Sequence, residues 1–176
     1  MSILKVARMG HPVLRAKARA LGRGDIRDPV VQQLIDDMID TMVEYRGVGL
    51  AAPQVHEGLR LFVAMLDEGG DDEPEPEPVV VINPAIAPIG TELVDGWEGC
   101  LSIPDVRGRV PRAREITVQA LDRHGKPLEL HAHDFAARVI QHETDHLDGV
   151  LFFDRMRSFE SLTFLDEYAR YWAKDE

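Results

Sequence analysis

"RVIQHETDHLDGVLFFD", residues 138–154, sets His142 and His146 four positions apart with Glu143 beside the first of them. In an α-helix, positions i and i+4 lie one above the other, about 6 Å apart along the axis. Two imidazoles placed this way can converge on one cation. The residue after the first histidine points about 100° around the axis, so Glu143 reaches a water on such an ion without ligating the ion itself. The bland alternative is a wet helix with "HETDH" on its surface. Against it, Val139, Ile140 and Leu147 crowd the motif, and buried His and Glu side chains need partners. Two histidines do not complete a catalytic metal site, so a third ligand must come from elsewhere in the chain.

Cys100, in "WEGCLSIP", is the first candidate, because a thiolate is a strong ligand for zinc or ferrous iron. One Cys with two His leaves a fourth position for water. A single cysteine is more often a small buried hydrophobe. Here Gly99 allows close backbone approach, and Trp97 and Glu98 read as a turn-like segment. Asp166, 20 residues beyond His146, and Glu167 are a second choice, the one a zincin endopeptidase would use. His131 and His133, at a strand end, are a third.

The surrounding pattern is α+β. "DPVVQQLIDDMIDTMVEYRG" starts a helix with Asp28 as N-cap and Pro29 at the first helical position, and stops it at Gly47. Val31, Leu34, Ile35, Met38, Met42 and Tyr45 recur at helical spacing on one buried face, the methionines as core filler. "LRLFVAML" and "VVVINPAI" read as strands, and "REITVQALDRHGKPLELHAH" as a hairpin turning at "DRHG". The segment from Asp134 to Leu147 is predicted helical and capped by Gly149. A last helix is predicted over about 158–174, with Leu162, Leu165, Tyr168, Ala169 and Trp172 on one side. Residues 1–176 are read as a single catalytic domain with antiparallel or mixed sheets packed around a central HExxH helix, flanked by N-terminal and C-terminal helices.

Composition narrows the function classes. The chain has 31 acidic against 20 basic residues, a net charge of −11. Seven of the acids stand in "DEGGDDEPEPEP", 67–78, read as a flexible surface loop. No basic face marks a nucleic-acid binder, and no stretch approaches the roughly 20 apolar residues of a membrane span. One cysteine excludes an internal disulfide, and the N-terminus carries no secretory pattern, so a reducing cytoplasm is expected.

Three segments, "GVGLAAPQ" (47–54), "EGCLS" (98–102) and "QHETDHLDG" (141–149), resemble in order the signature motifs of peptide deformylase. "GHPVLR" and "IPDVRGRVPRA" resemble the same family, and the similarity runs from about Val6 to Asp154. Thr144 departs from it, standing where the family carries an apolar residue. The resemblance implies Cys100, His142 and His146 as metal ligands and Glu143 as general base and then acid. It implies Gln54 and the backbone N–H of Leu101 as donors to the developing oxyanion. Gly47, Val48, Gly49, Glu98, Gly99 and Arg107 would bind substrate, with Arg109 a weaker candidate and Ile140 a candidate wall of the methionine pocket. The implied cofactor is one divalent ion, ferrous iron, with zinc, nickel or cobalt as alternatives. The implied substrate is the N-formyl-methionyl nascent peptide, met near the ribosome by a monomeric enzyme. A non-catalytic Cys/His/His metal site and a metal-free cysteine hydrolase are the competing readings. The first predicts a fourth protein ligand, and the second leaves Glu143 unexplained.

Overall fold

The structure, a computed structural model, describes residues 2–67 and 77–173; the expected acidic loop at 67–78 falls almost wholly outside them. In chain order the elements are α1 (Arg23–Arg27), α2 (Pro29–Glu44), β1 (Gly49–Ala51), β2 (Leu61–Ala64), β3 (Val79–Pro88), β4 (Leu93–Cys100) and β5 (Ile103–Ala113). There follow β6 (Glu115–Leu121), β7 (Pro127–His133), α3 (Asp134–Leu147), α4 (Phe152–Arg155), β8 (Thr163–Phe164) and α5 (Leu165–Tyr171). Strands β1-β2-β3-β6-β7 make one sheet in that order and β4-β5-β8 a second. All pairings between these strands are antiparallel, so the class is α+β. Strand β1 ends the first sheet and β4 the second.

The run "LFVA" explains why two helices sandwich the first sheet. Side chains alternate across a strand. Leu61 and Val63 pack with Ile35, Met38 and Met42 of α2. Phe62 and Ala64 pack with Ala137, Ile140 and Leu147 of α3. Both faces of β2 are therefore buried, which is why its sequence is continuously apolar instead of alternating. Helix α2 starts where its sequence predicts, the Asp28 carboxylate accepting from the Val30 N–H at 2.9 Å. Tyr45, expected on the buried face, is exposed because the helix ends one residue earlier. The β6–β7 hairpin closes with Gly125 N–H donating to Asp122 C=O, while the Asp122 carboxylate accepts from His124 N–H and Lys126 N–H at 2.8 Å each.

Two residues past Leu147, helix α3 is closed off by Gly149, whose φ of +73° suits the left-handed position past a helix. The Val150 N–H then reaches back to the Asp145 carbonyl at 2.9 Å. Any Cβ at 149 would also stand 2.6 Å from the Arg15 carbonyl oxygen. Two expectations are corrected here. Trp97 and Glu98 lie in strand β4, not in a turn; the glycine beside them at 96 is needed because the Arg138 guanidinium lies 2.7 Å from where its Cβ would be. The C-terminal segment is not one long helix. Thr163–Phe164 pairs with Arg107 and Val106 of β5, and α5 spans only Leu165–Tyr171. Of the expected apolar face, Tyr168 is buried and Leu162 half-buried, while Leu165, Ala169 and Trp172 are exposed.

Candidate metal centre and active site

Helix α3 presents His142 and His146 side by side, with ring centroids 5.0 Å apart. The end of β4 brings Cys100 to them. Its Sγ lies 3.3 Å from His146 Nε2, and one donor atom from each of the three residues falls within 4.8 Å of the others. Among the described residues no other set of His, Cys, Asp and Glu converges in this way. Asp166 is exposed, and His131 and His133 are exposed beside Glu115 and Asp134. None of these, nor Glu167, joins the cluster. The donor chemistry fits a divalent transition metal, since one soft sulfur with two imidazoles is a zinc- or iron-type set.

The orientation of His142 is fixed from behind. Its Nδ1 lies 2.9 Å from Glu98 Oε2. An ionised carboxylate can only accept, so Nδ1 carries the proton and Nε2 keeps the lone pair for a ligand. Glu98 is itself gripped by Arg112, at 2.8 and 2.9 Å, and by Arg138 at 2.9 Å. Arg112 also donates to Asp145 at 2.5 Å, and Arg155 holds the same carboxylate at 2.7 Å. Burial pushes the Glu98 carboxyl up, but the hydrogen bonds from Arg112 and His142 outweigh it and hold it well below the usual carboxylate range. Glu98 was expected to bind substrate; its carboxylate is instead committed to His142 and the two arginines. Arg112, Arg138 and Asp145 carry no local sequence signal, because what joins them is strand register across β4 and β5 and one turn of α3.

Glu143 is buried, its Oε2 has no hydrogen-bond partner among the described residues, and burial pushes its carboxyl up to about 7. Gly49 makes room for it, for a Cβ there would stand 2.3 Å from Glu143 Oε1. Gly49→Ala therefore displaces the carboxylate. The expected result is a fall in kcat of about 100-fold with metal content unchanged, measured by single-turnover assay and metal analysis. Gln54 is also locked. Its Oε1 accepts from Ala51 N–H at 2.9 Å, so its amide N–H₂ faces Ser102 Oγ at 3.2 Å and Cys100 Sγ at 3.5 Å. Thr144 is buried, and its hydroxyl finds no partner among the described residues.

Gln54, Cys100, His142 and Glu143 open onto a cavity of about 650 Å³. Gly47, Val48 and Gly49 line it from the β1 side, and Gly99 and Cys100 from the β4 side. Leu101 and Arg107 line it too, whereas Ile140 is turned into the core and its neighbours Val139 and Phe135 take the cavity face. Arg109 lies over Trp97, with its Cζ 5.6 Å from the ring centroid, and does not reach the cavity.

The sequence profile of the polypeptide deformylase family matches residues 3–161. The chain belongs to the polypeptide deformylase family. It is 45% identical over 168 residues to peptide deformylase 2 of Nostoc sp., spanning 94% of this chain and 93% of that protein. The peptide deformylase of Thermotoga maritima superposes with a TM-score of 0.81 at 39% identity, covering 90% of this chain and all 100% of that one. The class I type b deformylase of Acinetobacter baumannii bound to Met-Ala-Ser gives a TM-score of 0.81 at 39% identity, with 88% and 99% covered. Deformylases are metal-dependent hydrolases of N-formyl peptides, and the Cys100, His142 and His146 cluster is a possible site for that metal.

Proposed function

We propose that this chain removes the N-formyl group from the N-terminal methionine of newly made polypeptides, with Cys100, His142 and His146 as the metal ligands. The observation that carries the reading is the meeting of the Cys100 sulfur with the two imidazoles beside a buried, partnerless Glu143 oxygen. The A. baumannii relative holds Met-Ala-Ser, the peptide that loss of a formyl group from a tripeptide substrate leaves behind. A divalent ion at the cluster would supply Lewis acidity and a more acidic water at the formyl carbon.

The chain's own residues do the rest. Glu143 takes the proton of the attacking water and passes it to the departing amine. The Gln54 amide, already aimed at the cluster, and the Leu101 N–H hold the oxygen that becomes negative, worth about 3 kcal/mol. The substrate backbone runs between β1 and β4, pairing with Gly47, Val48 and Gly49 on one side and with Gly99 on the other. Arg107 meets its downstream part. Glu98 is reassigned from substrate contact to positioning of His142. Residues 1–176 act as one catalytic domain, built around the HExxH helix and working as a monomer. The ion is ferrous iron, and the setting is the cytoplasm, close to the ribosome.

The test is turnover of formyl-Met peptides by wild type and Cys100→Ala, with metal content measured on both. Wild type is expected to be active and to bind one ion, and Cys100→Ala to lose both. A Cys100→Ala protein that keeps its metal sinks the ligand set. Iron is tested by anaerobic purification followed by exposure to air. Oxidation of the iron or of Cys100 removes activity, and activity unchanged in air argues against iron.

A further inference from the structure

Several arginines of this acidic chain are tied to carboxylates: Arg60 to Asp148 at 2.7 Å, Arg123 to Asp36 at 2.8 Å, and Arg112 to Glu98 and Asp145. Arg8, Arg46 and Arg107 are different. Among the described residues no ion pair engages any of them, and all three line the active-site cavity. Of the carboxylates on the same lining, Glu98 is spent on His142 and two arginines, Glu143 is buried, and only Asp105 is exposed. Arg107 is steadied without an acid. Its Cζ lies 4.8 Å from the ring centroid of buried Tyr168, which in turn packs edge-on against Trp97 at 5.1 Å. A guanidinium held by its flat face keeps its N–H fork for another partner.

We propose that Arg8, Arg46 and Arg107 form a specificity-determining rim that favours peptides carrying carboxylates downstream of the methionine, with Tyr168 as the positioning residue for Arg107. This rests on the deformylase reading of the same cavity. The net charge of −11 does not cancel the rim, because charges more than about 8 Å away are largely screened at physiological salt. A peptide is the fitting partner, since the three arginines line a cavity flanked by the edge strands β1 and β4 and an extended chain fills such a slot.

The test compares amide-capped formyl-Met-Asp-Glu, formyl-Met-Asn-Gln and formyl-Met-Lys-Lys on the metal-loaded enzyme. The acidic peptide is expected to exceed its neutral isostere in kcat/KM by about three- to tenfold at low salt, mainly through KM, and the margin is expected to collapse at about 1 M salt. The double variant Arg8→Gln with Arg46→Gln is expected to shrink the margin to less than about twofold. Arg23→Gln with Arg27→Gln changes the net charge equally outside the cavity and is expected to preserve it. Tyr168→Leu should reduce the preference, and Tyr168→Phe, which keeps the ring, should restore it. Equilibrium binding of unformylated Met-Asp-Glu and Met-Asn-Gln amides reads the rim without turnover. Tighter acidic binding with no turnover of any formyl peptide would leave the rim standing and sink the deformylase reading. Equal binding and equal kcat/KM overturn the rim. So does loss of the preference in the Arg23/Arg27 control, or competition by a single-stranded oligonucleotide as effective as that of the acidic peptide.

Discussion

Glu143→Ala is expected to lower kcat on formyl-Met peptides by about three orders of magnitude, the middle of the range for removing a positioned acid–base group, while the protein keeps its metal. The residue sits on α3 between the two histidines yet turns toward Gly49, and its Oε2 has no hydrogen-bond partner among the described residues. Deleting it therefore takes nothing from the Cys100–His142–His146 cluster. Stability should hold or rise slightly, because a buried carboxyl without a partner is costly. Glu143→Gln separates proton transfer from shape, since it fills the same space without a base, and it should be nearly as inactive as alanine. Metal lost along with activity would make Glu143 a ligand. Turnover within about tenfold of wild type would remove it from proton transfer.

The second large effect falls on stability. Arg112→Ala is expected to cost about 3–5 kcal/mol, because it strands two buried carboxylates, Glu98 and Asp145, with fewer partners. For a chain of this size that corresponds to a melting temperature lower by about 6–20 °C, readable by calorimetry. Arg138 and Arg155 still touch one carboxylate each, so the loss should stop short of unfolding the chain. Arg112→Lys keeps the charge but not the two-pronged grip on Glu98, and should fall between alanine and wild type. Weaker metal binding is expected alongside, by about 10- to 100-fold, because Glu98 then orients His142 less firmly. A melting temperature within 2–3 °C of wild type would mean that the charges relax into water at little cost.

How far the sequence foretells these results depends on how local each signal is. Asp28 followed by Pro29, the turn at Asp122 to Gly125, and the spacing of His142 and His146 are written within a few residues, and each element appears where it is expected. The partners of the site are not local. Glu98 faces Arg112 only once β4 and β5 pair in the register that sets Glu98 opposite Gly108 and Val94 opposite Arg112. Nothing in either segment announces that register. Gly96 and Gly99 imitate a turn, yet the first is there because a guanidinium passes close to the strand. At the C-terminus, the helical spacing of Leu162, Leu165 and Tyr168 competes with pairing to Arg107 and Val106, and the sheet takes Thr163 and Phe164 first.

The two edge strands at the cavity, β1 and β4, each paired on one side only, bear on what the enzyme can afford to recognise. A grip made through main-chain N–H and C=O groups is the same for every amino acid that follows the first. Beyond the modest preference set by the arginine rim, such a catalyst accepts a wide range of sequences and is strict about the end of the chain. One protein of 176 residues could thus serve the whole range of N-termini that a translating cell produces.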